Sequence, residues 1–221
     1  MRQVLVLRPE PGASATIKRA LEHGLDAVAA PLFEIERVAW TAPDADEFDA
    51  LLLTSANSLH YGGDQLDGLL SLPVYAVGEL TAKAARERGF EIAATGNGGI
   101  DELLGSIPQH LRLLHLGGEH RRGPARARAS TGVISVYRAR ELETEDLGIA
   151  QGTVALIHSP RAGRRFAELV QDRGDILIAA ISTAAAEAVG TGWGALETAA
   201  EPGDDGLLAL AASLCNKPVP K

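Results

Sequence analysis

The chain repeats itself at long range, and that repeat leaves few folds open to it. A shift of 104 positions brings matches into one register: Leu53 meets Ile157, Ser55 meets Ser159, Ala76 meets Ala180 and Val77 meets Ile181. Farther on, Ala82 meets Ala186, Ala84 meets Ala188, and Leu103-Leu104 meet Leu207-Leu208. The segment LLLTSANS…VYAVGELTAKA…GNGGIDELL is thus a relative of ALIHSPRA…IAAISTAAAEA…EPGDDGLL. A weaker pair, VLVLRPE and LLHLGGE, precedes in each case a helix and another strand. Self-similarity of this kind signals two copies of one structural unit.

Apolar runs of strand length alternate with helix-like stretches. The strand candidates are Val4–Leu7, Ala27–Ala30, Ala50–Leu53, Val74–Val77, Glu91–Ala94, Leu111–Leu116, Val133–Tyr137, Val154–Ile157, Ile176–Ile181 and Ala195–Thr198. Stretches such as Thr16–Glu22 and Phe166–Val170 carry helical spacing between them. Strands that alternate with helices predict an α/β fold, with parallel sheets covered by helices on both faces. A two-strand unit and a three-strand unit recur in the order A, B, A, B. The central B and A, residues 42–137, are expected to form one lobe. Residues 1–37 and 142–221 are expected to form the other. Each lobe is expected to be flavodoxin-like, a five-stranded parallel sheet flanked by helices. The chain then crosses between lobes at 38–41 and 138–141, and those crossings are expected to pair as a two-stranded hinge. Function is expected in the cleft between the lobes.

Composition narrows the class. Hydrophobic residues make up 46% of the 221 and charged residues 23%, which suits a packed globular chain. No window approaches the roughly 20 apolar residues of a membrane span, and Met1 leads at once into a strand-like run without a leader pattern. The one cysteine, Cys215, forms no internal disulfide, so a reducing compartment, the cytoplasm, is expected. A net charge of −8 argues against general nucleic-acid binding. The charge is uneven, however. Arg112, Arg121, Arg122, Arg126, Arg128, Arg138 and Arg140 face Glu119 alone, either as a solvated basic face or as a rim that attracts a polyanion.

In open parallel sheets, ligands bind beyond the carboxyl ends of the strands. The loops there are Arg8–Gly12, Thr54-Ser55-Ala56-Asn57, Gly78-Glu79-Leu80-Thr81, Gly117-Gly118-Glu119, His158-Ser159-Pro160-Arg161 and Ser182-Thr183. Their Ser, Thr, Gly and Asn residues suit helix caps. They also suit anion contacts made by helix N-termini, each worth about 0.3–1 kcal/mol when exposed. Other motifs fail on context. Gly190–Ala195 spells a dinucleotide fingerprint but follows a helix instead of a strand, and no P-loop or nucleophile-elbow sequence occurs. The six histidines show no metal-ligand spacing, and Trp40 and Trp193 read as packing residues.

VLVLRPEPGASAT, APLFEIERV, LLLTSANSLHY, VYAVGELTAKAARERGFE, LLHLGGEHRRG, ISVYRARE and ALIHSPRAGRRFAELV, in that order, resemble the bacterial uroporphyrinogen-III synthase family over almost the whole chain. The resemblance implies a cofactor-free, monomeric cyclising lyase of tetrapyrrole biosynthesis. Its substrate would be hydroxymethylbilane, a linear octacarboxylate, handed over by the preceding pathway enzyme. The last pyrrole ring is inverted through a spiro intermediate as water is lost. By that resemblance Tyr137 is the catalytic candidate. Substrate binding falls to Arg8, Thr54, Ser55, Ala56, Asn57, Gly78, Thr81, Gly117, Gly118, Ser159, Pro160, Arg161, Ser182 and Thr183. One turn departs from the family pattern. In AISTAAAEA, Ala184 and Ala185 stand where relatives carry a glycine-led, threonine-containing turn. The alternatives are a non-catalytic bilobal binding protein for a tetrapyrrole or other polyanion, and a paralogue that kept the clamp without the chemistry.

Overall fold

A computed structural model describes residues 2–96, 99–120, 130–144, 147 and 150–216. In chain order the strands are β1 (Val4–Val6), β2 (Ala27–Ala29), β3 (Phe33–Arg37), β4 (Ala50–Leu53), β5 (Val74–Val77), β6 (Ile92–Gly96), β7 (Leu113–Gly118), β8 (Thr131–Glu141), β9 (Val154–Ile157), β10 (Leu177–Ala180) and β11 (Ala195–Thr198). The helices are α1 (Gly12–Glu22), α2 (Asn57–Gly62), α3 (Glu79–Glu87), α4 (Ile100–Ser106), α5 (Pro160–Leu169), α6 (Thr183–Val189) and α7 (Asp204–Cys215).

The chain divides into two compact units, Met1–Glu34 with Arg140–Lys221, and Ile35–Ala139. The first holds a sheet in the order β11-β10-β9-β1-β2, all parallel. Its inner strands β10, β9 and β1 are buried along their whole length, as continuous apolar runs covered on both faces must be. Val4, Val6, Val154, Leu156, Leu177 and Ala179 point to one face, where they pack with Ala13 and Ala20 of α1 and Leu207, Leu208 and Ala211 of α7. Helices α5 and α6 also pack closely together. A Cβ at Gly163 would meet the Ala185 carbonyl oxygen at 3.0 Å and the Val189 nitrogen at 3.1 Å, so glycine sets that approach.

The second sheet runs β3-β8-β7-β4-β5-β6. Strands β4 and β7 are buried throughout. Leu51, Leu53, Val74, Ala76, Leu114 and Leu116 form one core face with Leu59, Ala82 and Ala85. Ala50, Leu52 and Leu113 pack with Leu103 and Ile107 on the other.

This sheet has six strands where five were expected. The extra strand is β3, and its pairing with β8 runs antiparallel. The Leu142 N–H donates to the Leu32 carbonyl at 3.0 Å and the Val38 N–H to the Val136 carbonyl at 3.0 Å. Of the expected crossings, 138–141 lie within β8, whereas 38–41 follow β3 outside any strand, and it is 33–37 that pair with β8. Glu36 and Glu34 ion-pair across it with Arg138 and Arg140. Opposite charges on directly paired residues stabilise such a ladder by about 0.2–1 kcal/mol each. The β6 reading also shifts, from 91–94 to Ile92–Gly96.

Candidate active site

Adjacent strand order brings most of the candidate residues of the second unit to one place. The carboxyl ends of β7, β4 and β5 lie side by side, carrying in turn Gly117-Gly118, Thr54–Asn57 and Gly78, and Tyr137, part-way along β8, is level with the end of β7. A register shift between Gly117 and Gly118 sets Tyr137 opposite Gly118, whereas Gly117 still faces Ser135. Such a bulge re-aims one side chain without breaking the sheet. Val136 is fully buried in the core, and the Tyr137 ring lies over Gly118. A Cβ there would come within 2.7 Å of the ring, so residue 118 must be glycine for the tyrosine to sit where it does. The Tyr61 ring lies 6.1 Å away, and the Tyr137 carbonyl accepts from the Glu119 N–H at 2.9 Å.

The loop after β4 is held from beneath. Thr54 Oγ1 and Nε2 of the buried His115 on β7 are 3.2 Å apart, and Ser58 Oγ donates to the Leu116 carbonyl at 2.8 Å. Ser55 Oγ accepts from the Asn57 N–H at 3.2 Å, which curls the chain into α2 from Ala56. Gly78 enters α3 at φ +81°, a left-handed conformation that favours glycine. Thr81, three residues on, is buried.

In the first unit several candidates are spent on structure. Ser159 and Ser182 are N-caps whose hydroxyls accept from the Ala162 N–H at 3.1 Å and the Ala185 N–H at 3.3 Å. Pro160 is the first residue of α5. The Arg161 guanidinium stacks on the Phe33 ring at 4.4 Å and reaches Glu141 at 3.2 Å. Thr183 is exposed and borders an open groove of about 530 Å³ along α6 and β11, together with Ala186, Gly190, Trp193 and Leu196. One face of Trp193 stacks on Phe166, and Arg173 also lies over its ring.

Arg8 lies at the carboxyl end of β1 within a polar cluster. Its Nη1 donates to Thr16 Oγ1 and to Asp204 Oδ1, both at 3.3 Å. Asp204 opens α7, and its side chain is almost fully buried. It accepts from Thr16 Oγ1 at 2.7 Å and pairs with Arg19 at 3.2 Å and with His158 Nε2 at 2.9 Å. With the carboxylate ionised, Nε2 carries the proton, and the buried Nδ1 is left without a partner. Burial pushes the Asp204 carboxyl up. The hydrogen bonds from His158 and Thr16, and the charges of His158 and Arg8, outweigh that and hold it at about 2.

A carboxyl depressed below its ordinary value of about 3.9 adds stability above that pH, lost as pH falls through the folded value. Asp204 should therefore contribute about 1–2 kcal/mol at neutral pH, allowing for solvent screening by way of the half-exposed arginines. Chemical denaturation of the parent and Asp204→Asn should show their stability gap narrowing steadily from pH 5 to pH 2. A gap that stays constant over that range would mean that Asp204 has no depressed pKa.

The family model described as uroporphyrinogen-III synthase HemD matches residues 14–209. The chain belongs to the uroporphyrinogen-III synthase family. A relative named uroporphyrinogen-III synthase, from Chlorobaculum parvum, is 33% identical over 101 residues, 42% of this chain and 41% of that relative's length. Less than half of that relative is therefore spanned. Among solved structures, the uroporphyrinogen-III synthetase of Helicobacter pylori covers 97% of this chain and 100% of its own at TM-score 0.66 and 17% identity. A mutant uroporphyrinogen III synthase of the extremely thermophilic bacterium Thermus thermophilus covers 98% and 100% at TM-score 0.53 and 16% identity. At those identities the likeness is one of fold.

For a chain of the uroporphyrinogen-III synthase family, the sequence reading missed Asp204, Thr16 and His115, which nothing local singles out. It also left two readings of the basic stretch open. Arg112 makes a two-pronged contact with Asp49, and Arg138 and Arg140 pair with glutamates on β3, so these three are engaged on the surface. Arg121, Arg122, Arg126 and Arg128 lie outside the described residues.

Proposed function

We propose that the chain is a uroporphyrinogen-III synthase. It would close hydroxymethylbilane to uroporphyrinogen III with inversion of the last pyrrole ring and loss of water. The observation that carries this reading is the bulge at Gly117-Gly118, which seats the Tyr137 ring over the carboxyl end of β7, next to those of β4 and β5 and beside loops of small polar residues. In a family member, this is where departure of a hydroxyl needs a donor and where carboxylates need N–H groups.

The same substrate closes without help, keeping its last ring uninverted, so the protein's task is to decide which ring carbon attacks. Positioning is an efficient means to that end, since a well-oriented geometry removes several kcal/mol of entropic barrier. Tyr137 donates a hydrogen bond to the departing hydroxyl as the exocyclic carbon becomes electrophilic. Backbone N–H groups at the starts of α2 and α3, with the Thr54 and Ser55 hydroxyls, meet acetate and propionate side chains. In the first unit, Arg8 and the Ser159–Arg161 and Ser182-Thr183 turns do the same. The enzyme works as a cytoplasmic monomer without a cofactor, on substrate handed over by the enzyme that assembles the linear tetrapyrrole. No helix among the described residues is long and apolar enough to cross a membrane.

The test is a coupled assay in which hydroxymethylbilane is generated in situ, the products are oxidised, and the type I and type III uroporphyrins are resolved. The type III fraction should rise with protein concentration until it dominates. Type I alone, from folded protein, would leave a binding protein or a paralogue without the chemistry.

A further inference from the structure

Resting on that reading, we propose that Arg8 receives one substrate carboxylate on its Nε–Nη2 edge. Asp204 and Thr16 act as positioning residues, and Gly12 leaves room for the guanidinium. All the hydrogen bonds that Arg8 makes among the described residues run through Nη1, to Thr16 and Asp204. Those bonds fix the guanidinium from one side. Its Nε–H and one Nη2–H point the same way and match the two oxygens of a carboxylate, the pairing for which arginine is suited and lysine is not. The side chain is 36% exposed, so solvent reaches it.

Gly12 packs against the same guanidinium. A Cβ on residue 12 would lie 2.5 Å from Arg8 Nε, 2.8 Å from Cζ and 2.9 Å from Nη2, so it would push the guanidinium out of its place. The φ of Gly12 is not positive, so its backbone does not call for glycine. Helices favour alanine over glycine by as much as about 1 kcal/mol. At the start of α1, then, the missing side chain gives room beside Arg8. The buried Asp204 carboxylate is shared by two guanidinium groups, those of Arg8 and Arg19, while the nearby Asp205 is 83% exposed and reaches only Arg19, at 3.8 Å. With His158 neutral, the two guanidinium groups and the two carboxylates balance, and the one carboxylate that Arg8 meets is shared with Arg19.

Steady-state kinetics with hydroxymethylbilane, and titration of the octacarboxylate uroporphyrin III by fluorescence, test this together. Arg8→Gln should raise KM and weaken porphyrin binding about tenfold, with kcat within about twofold. Gly12→Ala should do nearly the same without lowering the melting temperature, because it displaces Arg8 and leaves the helix intact. Asp204→Asn should raise KM in the parent background and add little in the Arg8→Gln background, since it acts through Arg8. Parental KM and binding in Arg8→Gln and Gly12→Ala would overturn the proposal and leave the cluster a structural clasp. So would effects of Asp204→Asn and Arg8→Gln that simply multiply. Failure of the function itself reads differently. A parent that makes no type III isomer yet binds uroporphyrin III still lets the Arg8 edge be tested by binding alone.

Discussion

A Tyr137→Phe variant is expected to turn over hydroxymethylbilane about a hundredfold more slowly than the parent, with KM within about twofold. The substitution removes an oxygen and almost no area. The ring keeps its seat over Gly118 and its neighbour Tyr61, so the fold around the bulge is undisturbed. What is lost is a donor for the departing hydroxyl, and general-acid assistance of this kind is worth roughly 10²–10⁴ in rate. A hundredfold loss corresponds to about 2.7 kcal/mol of barrier. Because the loss should fall on the transition state, kcat and kcat/KM should drop together. The type III fraction among the products formed should also fall, since uncatalysed closure then competes better with the slowed enzyme. Tyr61→Phe is the matched control, removing a hydroxyl from the adjacent ring. Unchanged kcat in Tyr137→Phe would take the phenol out of the mechanism and leave the ring as packing for the sheet edge.

The parallel sheets were legible because their inner strands are written as unbroken apolar runs. ALLL, VALI and LIAA can be buried on both faces and little else, and LLHLGG breaks the pattern only at His115, which meets Thr54. The repeat added which runs belong together. A pairing of the two crossings was expected, but not the register of β3 on β8, because FEIER and YRARE mix apolar and charged residues whose charges find their partners only once the register is known. The bulge at Gly117-Gly118 depends on the same register, so Tyr137 could be named from a resemblance but not aimed. Asp204 shows the limit most clearly. Its partners Arg8, Thr16 and His158 lie 196, 188 and 46 positions away, and no local spacing links them. Ser159 and Ser182 were visible as possible caps and possible ligand contacts alike, since one hydroxyl chemistry serves both. Their hydroxyls bond the first turns of α5 and α6, which leaves their backbone N–H groups, and not the side chains, as the better anion contacts.

Phe166→Ala is expected to destabilise the first unit by about 3–5 kcal/mol. Phe166 is fully buried, and its ring stacks on Trp193 at 5.3 Å and 18°. Removing it opens a cavity beneath α5, where the surroundings have little freedom to collapse. At Gly163 the α5 backbone already touches that of α6, and Trp193 is tied by its indole N–H to the Val189 carbonyl at 3.2 Å and covered by Arg173 at 4.8 Å. The aromatic pair adds about 0.5–1.5 kcal/mol beyond the area it buries. For a chain of this size a loss of 3–5 kcal/mol lowers the melting temperature by roughly 10 °C. The chain has two tryptophans, and Trp40 packs in the core of the other unit, with its indole N–H on the Gly62 carbonyl at 2.8 Å. In a Trp40→Phe background, the Trp193 fluorescence transition should move down by that amount. Phe166→Leu, which keeps most of the volume, should cost under about 1.5 kcal/mol. If Phe166→Ala melted within about 2–3 °C of the parent, α5 would have to settle into the space left by the ring, and the Gly163 contact could not be as tight as its geometry implies.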